Sequence, residues 1–562
     1  MYMSTVSTFP GTFGPLQSAT STATSGVIGW WTGADKPSTL DQLPQLLRAL
    51  DQPLYVLQQG REYLVTNTGQ VQLGTITGIQ GALPMVAWLP PAPAAQLGDP
   101  GFCRDYAVRF PYMTGAMANG IASTRLVIAI AEAGLLGSFG AAGLGVNQVA
   151  TAIAELQGRL PDRSFCINLI HSPNEKDRED QLVDLFIHKG IHMVEASAYM
   201  SLTLPAVRYR LHGIHRDGQG NIVTPHRIIA KVSRVEVAER WFSPPPDKLL
   251  QTLFDNGVIT AGQMDLAKQI PMAQDLTVEA DSGGHTDNRP AITLLPTMLA
   301  LRDRLQRQYN YHTPLRVGAA GGIATPASAA AAFAMGAAYV VTGSINQSCL
   351  ESGSSDFVRR MLAEAQQADT AMAAAGDMFE LGVKVQVLKR GTLFAMRANK
   401  LYETYRAFES LEAIPDKERA SLEKTIFKAP VEQIWQTTRD YFQAHDPGQI
   451  ARAERDPKHR MALVFRWYLG LSSRWANTGV EDRQADYQIW CGPAMGAFNE
   501  WTRDSFLEQP QNRQVVTVAL NLIFGAALAS RLQMLRLQGI ALPMELARVV
   551  PLPIAEIDQY LS

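Results

Sequence analysis

The sequence predicts an α/β chain built on a parallel (β/α)8 barrel, with a small α+β module before it and a mostly helical stretch after it. Three observations carry this expectation. Short runs rich in Val and Ile alternate with Ala-rich helical patterns eight times over roughly 250 residues, the size of such a barrel. The runs are continuously apolar rather than alternating, as strands of a parallel sheet covered by helices are. Glycine-rich segments fall where those strands end, the face on which a barrel builds its site. An open doubly wound sheet shares the same periodicity and stands as the rival.

The elements follow in order. The chain has 562 residues, 46% of them apolar, enough for about three domains. Residues 1–28, rich in Ser, Thr and Gly with little to bury, read as a flexible arm. Residues 29–98 hold strand-like runs (YVLQQG, EYLVTN, GQVQLG) and a helix over 40–50, closing in the linker-like LPPAPAAQLGDPG. Residues 99–375 hold the barrel, with strands expected at 107–117, 135–142, 164–170, 192–198, 227–233, 276–281, 315–321 and 338–343. Helices are expected between them at 124–133, 146–156, 178–188, 293–306 and 326–335. From 376 to 562 the strand signal largely disappears. Helical spacing runs over 400–411, 416–427, 431–442, 460–468 and 515–538. Trp467, Tyr468, Trp475, Trp490 and Trp501 read there as helical core, with acyl-tunnel lining as the alternative.

Composition excludes several classes. A net charge of -2 gives no general affinity for nucleic acid or a membrane surface. Cys103, Cys166, Cys349 and Cys491 stand far apart with no CxxC pair, so no metal site is expected and a reduced, cytoplasmic setting is. The N-terminus has neither the basic nor the apolar region of a signal peptide. The longest apolar runs, such as 522–529, are too short to cross a bilayer.

The chemistry concentrates at strand ends. GAMANGIAS (115–123) follows the first strand, GAAGGIATP (318–326) the seventh and TGSINQ (342–347) the eighth. Glycines leading from a strand into a helix leave backbone N–H groups unshielded, and these with the helix dipole bind anions. Two such loops after the last two strands are the usual barrel site for a phosphate. The plainer reading is close helix–strand packing. Flavin mononucleotide (FMN) fits the first reading: phosphate at the last strands, ring across the mouth, and a positive charge near the ring's N1 and C2 oxygen. Candidate contacts are Gly115, Ala116, Met117, Asn168, Lys231, Gly283, Gly284, Gly321, Gly322, Ile323, Thr342, Gly343 and Ser344. Lys231 is the sharpest, an ammonium inside the apolar strand IIAKVS. A structural ion pair with Glu195 or Glu279 is its alternative, and Asn168 taken alone suits a core hydrogen bond.

The motifs ADSGGHTDNRP, RVGAAGGIATP and YVVTGSINQ, with Lys231 and the 115–120 loop, resemble the superfamily of nitronate monooxygenases and FMN-dependent enoyl reductases. VEASAYMSLTLPAVRYR, AAFAMGAAYVVTGSINQ and LKRGTLFAMRANKLYETY resemble more narrowly the PfaD-type enoyl reductases, which act in trans on polyunsaturated fatty acid and trans-acyltransferase polyketide synthases. The likeness runs from about residue 25 to the C-terminus. It implies FMN, NADPH as hydride donor, and an α,β-unsaturated thioester on an acyl carrier protein as substrate. It also implies that Gly-Gly-His faces the flavin, and it leaves a homodimer open.

The resemblance makes His285, Asp287 and Asn288 the catalytic candidates. His285 would donate a hydrogen bond to the thioester oxygen or a proton to the α-carbon, or only shape the loop. Asp287 and Asn288, with Arg289, would orient His285, bind NADPH or cap the next helix. The extra helical stretch would receive the carrier. Carrier proteins are acidic, and the six basic residues between 384 and 406 face one acid, Glu403. Lys389, Arg390, Arg397 and Lys400 are therefore docking candidates, a solvated helix face being the alternative. Nitronate oxidation with O2 and a non-catalytic docking role are the competing functions.

Overall fold

The computed structural model describes residues 26–74, 81–171, 176–545 and 547–561, so most of the expected arm lies outside the described residues. Eight parallel strands close into a barrel in sequence order, which excludes the open sheet. They are β1 (Tyr112–Thr114), β2 (Leu136–Phe139), β3 (Cys166–Ile170), β4 (Met193–Ser197), β5 (Arg227–Val232), β6 (Asp275–Glu279), β7 (Arg316–Ala320) and β8 (Val340–Thr342). β8 pairs with β1 through Val340↔Tyr112 to Thr342↔Thr114, completing the circle. Each lies where the apolar runs placed it. The first is shorter than expected, because Ala107 takes a left-handed conformation (φ 52°) that ends an unforeseen helix, Pro100–Tyr106. That helix starts inside the stretch read as a linker, where the Asp99 side chain accepts from Gly101 N.

Local chemistry sets the helices that follow the strands. Ser123 caps Thr124–Glu132 by accepting from Leu126 N. Thr325 caps Pro326–Ala334, with Pro326 in the first turn and Ser328 completing a capping box. At the opposite end of the barrel, Arg316 binds Asp275 through Nε (2.6 Å) and Nη2 (3.0 Å), and Tyr106 donates to the same carboxylate at 2.7 Å. Both charges of this pair are buried, and with Asp105 2.8 Å from Arg316 Nη1 and Tyr106 on Asp275 each is met within the protein.

The strand signal does not end at 375. Lys384–Leu388 is a strand, with the alternation of KVQVL in plain view, and it pairs antiparallel with Thr370–Ala374 and with Gly284–His285. The helical expectation holds around it. Helices Phe394–Ala407, Val431–His445 and Pro457–Thr478 pack about a core of Phe379, Phe394, Leu401, Phe427, Phe465 and Tyr468. Trp467, Trp475 and Trp490 lie against that core. Helix Val515–Leu537 is long and apolar enough to cross a membrane, contrary to the length expected from the apolar runs, but most of its surface is already buried in the protein.

The chain forms two compact units: residues up to Pro91 with Arg531–Arg548, and Ala92–Ser530 with the residues from Val549 on. Residues after 376 thus share a unit with the barrel up to Ser530. The smaller unit is a six-stranded antiparallel sheet over Trp31, Leu57, Leu64 and Met85. The buried Arg531 joins it by donating to the carbonyls of Leu47, Ala49 and Gln52, which closes the C-terminal end of helix Leu43–Arg48.

Candidate active site

The C-terminal ends of the barrel strands enclose a cavity of about 380 Å3. Every position expected to touch a cofactor lines it, from Gly115, Ala116 and Met117 after β1 to Thr342, Gly343 and Ser344 after β8. His285 and Asp287 line it too, whereas Asn288 does not. The barrel brings these residues together because each leaves a different strand at the same end.

Lys231 projects from β5 and places Nζ 3.1 Å from Glu279 Oε2 on β6. Burial alone would lower the ammonium's pKa, but the carboxylates of Glu279 and Glu195 outweigh it and hold Lys231 above its ordinary value. The structural ion pair and the place in the cavity are therefore both true of this residue. Glu195, wholly buried, accepts from Ala116 N at 2.8 Å through Oε2, while its Oε1 has no partner among the described residues. Asn168 spends both amide hydrogens within the protein, on Glu195 O (3.0 Å) and Ser197 Oγ (2.9 Å), leaving Oδ1 as the atom available to a ligand.

His285 is oriented by a residue that the sequence did not single out. Its Nε2 lies 2.9 Å from Asp377 Oδ2. Burial alone would lower the imidazole and raise the carboxyl. The hydrogen bond between them overcomes this and holds His285 above, and Asp377 below, their ordinary values. Asp287 does not orient His285. It accepts from Ser233 Oγ at 2.5 Å and from Arg234 Nε and Nη2 at 3.1 and 3.0 Å, chiefly the guanidinium keeping it below the usual carboxylate range. Asn288 sits in the left-handed region (φ 52°) and donates to Asp281 Oδ1 at 2.7 Å, a loop-shaping role. Neither caps the next helix, Ala291–Tyr309, whose N-cap is Pro290.

The glycines divide by cause. Gly283 is required by packing: a Cβ there would stand 2.9 Å from Cys491 N. At Gly321 it would stand 2.6 Å from the Ala280 backbone. At Gly322 and Gly343 it would meet nothing within 4 Å. No side chain shields the backbone at these two cavity positions, which suits the phosphate of FMN. With Lys231 as the cation, the residues present fit that cofactor. The hydroxyl of Thr342 is taken by Tyr112 (2.6 Å) and Asn346, and its carbonyl accepts from Gly115 N and Asn346 Nδ2, each at 2.9 Å.

The proposed docking cations part company. Arg397 binds the wholly buried carboxylate of Asp486, which Arg483 and Tyr468 also contact, so it belongs to the core of the helical stretch. Lys400 pairs with Glu418 at 2.6 Å. Lys389 and Arg390 are exposed at the end of their strand, Arg390 standing 3.7 Å from Asp369. Beyond Asp377, sequence reasoning missed Arg234, Lys384 and Trp490 at the cavity. Asp377 had one signal, an isolated acid after the Ala-Gly run TAMAAAGD.

Residues 104–414 match the nitronate monooxygenase family, and residues 408–487 match the inserted helical domain of [acyl-carrier-protein] S-malonyltransferases. The chain is 46% identical, over 90% of its length, to a polyunsaturated fatty acid synthase subunit of Thraustochytrium sp., of which it covers 34%. It is 45% identical, over 76% of its length, to polyketide biosynthesis protein PksE of Bacillus subtilis, of which it covers 56%. It thus spans between about a third and just over half of these relatives. Among solved structures, the enoyl reductase domain of MlnA from the macrolactin cluster of Bacillus amyloliquefaciens matches over its whole length and 80% of this chain, at 38% identity and a TM-score of 0.76. These matches cover the barrel, its Lys231 and Gly-Gly-His segments and much of the helical stretch after it. The chain belongs to the nitronate monooxygenase family of oxidoreductases, in the branch of the PfaD-type enoyl reductases.

Proposed function

We propose that this chain is an FMN-dependent enoyl reductase that works in trans, drawing hydride from NADPH, on α,β-unsaturated thioesters carried by the acyl carrier protein of a polyketide or polyunsaturated fatty acid synthase. The observation that carries the reading is the meeting of Lys231, the His285–Asp377 pair and the unshielded backbone of Gly322 and Gly343 around one cavity. The likeness to the MlnA enoyl reductase domain and to synthase subunits supports the substrate class. The match of 408–487 to a helical insert of enzymes that act on acyl carrier protein supports a carried substrate.

The chemistry that the flavin supplies when bound is transfer of hydride from NADPH to the β-carbon of the enoyl thioester. Lys231 places a fixed positive charge in the cavity, and Glu279 holds it there. His285, whose imidazolium Asp377 favours, donates through its other ring N–H to the thioester oxygen as negative charge builds on it, or passes that proton to the α-carbon. One such donor is worth about 3 kcal/mol of barrier. Asp287, Ser233 and Arg234 brace the loop that carries the imidazole.

Mass spectrometry of a crotonyl-loaded carrier protein incubated with enzyme and NADPH tests this. A gain of two hydrogens is expected. If the enoyl thioester never reoxidises the reduced flavin while a nitronate with O2 does, the chain is a nitronate monooxygenase instead.

A further inference from the structure

Lys384 borders two hollows. It lines the barrel-mouth cavity beside Met378 and Val383, and it also lines an open groove with Asn399, Tyr402, Glu403 and Arg406. The ladder sets its position. His285 pairs with Val385, so Lys384 stands one residue from the partner of the imidazole, opposite Ala374. The other groove residues recur at three- and four-residue spacing along helix Phe394–Ala407 and share one of its faces. A strand end and a helix face therefore meet at the rim of the cavity.

The groove holds three of the four unpaired charges of this region, exposed Lys389 being the fourth. Arg397, Lys400 and Arg390 have acidic neighbours in Asp486, Glu418 and Asp369. Lys384 and Arg406 are exposed and form no ion pair among the described residues, and neither does Glu403, the groove's one acid. Asn399 donates to Met372 O at 2.9 Å, but its Oδ1 is buried without a partner. A solvated helix face would also show exposed charges. It would not share a lysine with the reaction cavity. Two cations without acidic partners, lining one groove, match a phosphate ester.

We infer that this groove seats the phosphate ester of a ligand whose reactive end lies in the barrel-mouth cavity. The ligand's identity rests on the reductase reading, under which two sources share this chemistry: the 4′-phosphopantetheine arm of the carrier and the 2′-phosphate of NADPH.

Titration calorimetry on the full chain reads the groove without turnover, using 4′-phosphopantetheine against pantetheine and NADPH against NADH. Lys384→Gln and Arg406→Gln are each expected to weaken one phosphorylated ligand about tenfold while sparing its counterpart, and the pair that responds names the source. Lys248→Gln, an exposed charge on helix Asp247–Asp255, serves as the control that changes neither. Unchanged Tm values establish that the variants fold. Equal binding by wild type and both variants, or a loss that falls alike on both members of a pair, overturns the inference. Turnover of crotonyl-loaded carrier protein with NADPH keeps the two readings apart. An inert wild type sinks the reductase, while discrimination between phosphorylated and plain ligands sustains the groove.

Discussion

His285 Nε2 lies 2.9 Å from Asp377 Oδ2, although 92 residues separate the two in the chain. The pair is made by a small antiparallel sheet in which Gly284–His285 lies beside Lys384–Leu388, whose other neighbour, Thr370–Ala374, ends just before Asp377. The carboxylate fixes one ring nitrogen and favours the imidazolium, as a proton donor needs. His285→Ala is expected to lower the rate of enoyl reduction about a hundredfold while flavin content stays at the wild-type level. Asp377→Asn removes the charge that holds the imidazole's pKa up. The high-pH limb of the kcat profile, where the proton is lost, then moves to lower pH. A His285→Ala enzyme with full activity would take His285 out of the mechanism.

Lys231 sits between Glu279 and the buried Glu195. Lys231→Ala removes the cavity's cation and leaves two carboxylates uncompensated beside it. Bound flavin per chain, read by absorbance, should fall, and anaerobic reduction by NADPH of what remains should slow about a hundredfold. Glu279→Gln loosens the ammonium without removing it, so its effect is expected to be the smaller of the two.

Gly343 tests the phosphate cradle more cleanly than Gly322. Its φ is outside the left-handed region, while Gly322 at φ 77° would add about 1 kcal/mol of backbone strain with any side chain. Gly343→Ala is expected to retain the wild-type Tm and lose flavin. Normal flavin content in this variant would move the cradle elsewhere.

Arg397 and Lys389 should separate folding from docking. Arg397→Ala leaves the buried Asp486 short of its closest cation and is expected to cost about 3 kcal/mol, seen as a lower Tm. Lys389→Ala is expected to leave Tm alone and raise KM for the loaded carrier protein but not for crotonyl-pantetheine.

His226 predicts acid sensitivity in the barrel. Burial, then the charges of His192, His212 and Arg210 that face it, press its pKa down to about 4 from 6.5. The folded state therefore holds it neutral, and the unfolded chain takes up the proton first as pH falls. Its stabilisation is complete above pH 6.5 and is lost between 6.5 and about 4, a loss of about 3 kcal/mol. His226→Gln should flatten the fall of Tm over that interval relative to wild type.

Much of this could be read from residue order alone. Eight apolar runs named the barrel strands because a parallel strand buried on both faces needs no alternation, and that signature is local. The loops at 115–117, 321–323 and 342–344 were legible for the same reason, as was Lys231, an ammonium that an apolar strand cannot hold without a partner. Tertiary structure decided what depends on distant approach. It chose Glu279 over Glu195 as the direct partner of Lys231, and Asp377 over Asp287 as the partner of His285. It drew Arg397 into the core beside Asp486 while leaving Lys384 exposed at the cavity and Arg406 exposed in the adjoining groove. It also divided the glycines, since Gly283 answers to the Cys491 backbone and Gly343 to open space. A residue type and its spacing show which chemistry a chain can perform. Which carboxylate reaches which cation depends on a few ångströms of packing between segments a hundred residues apart.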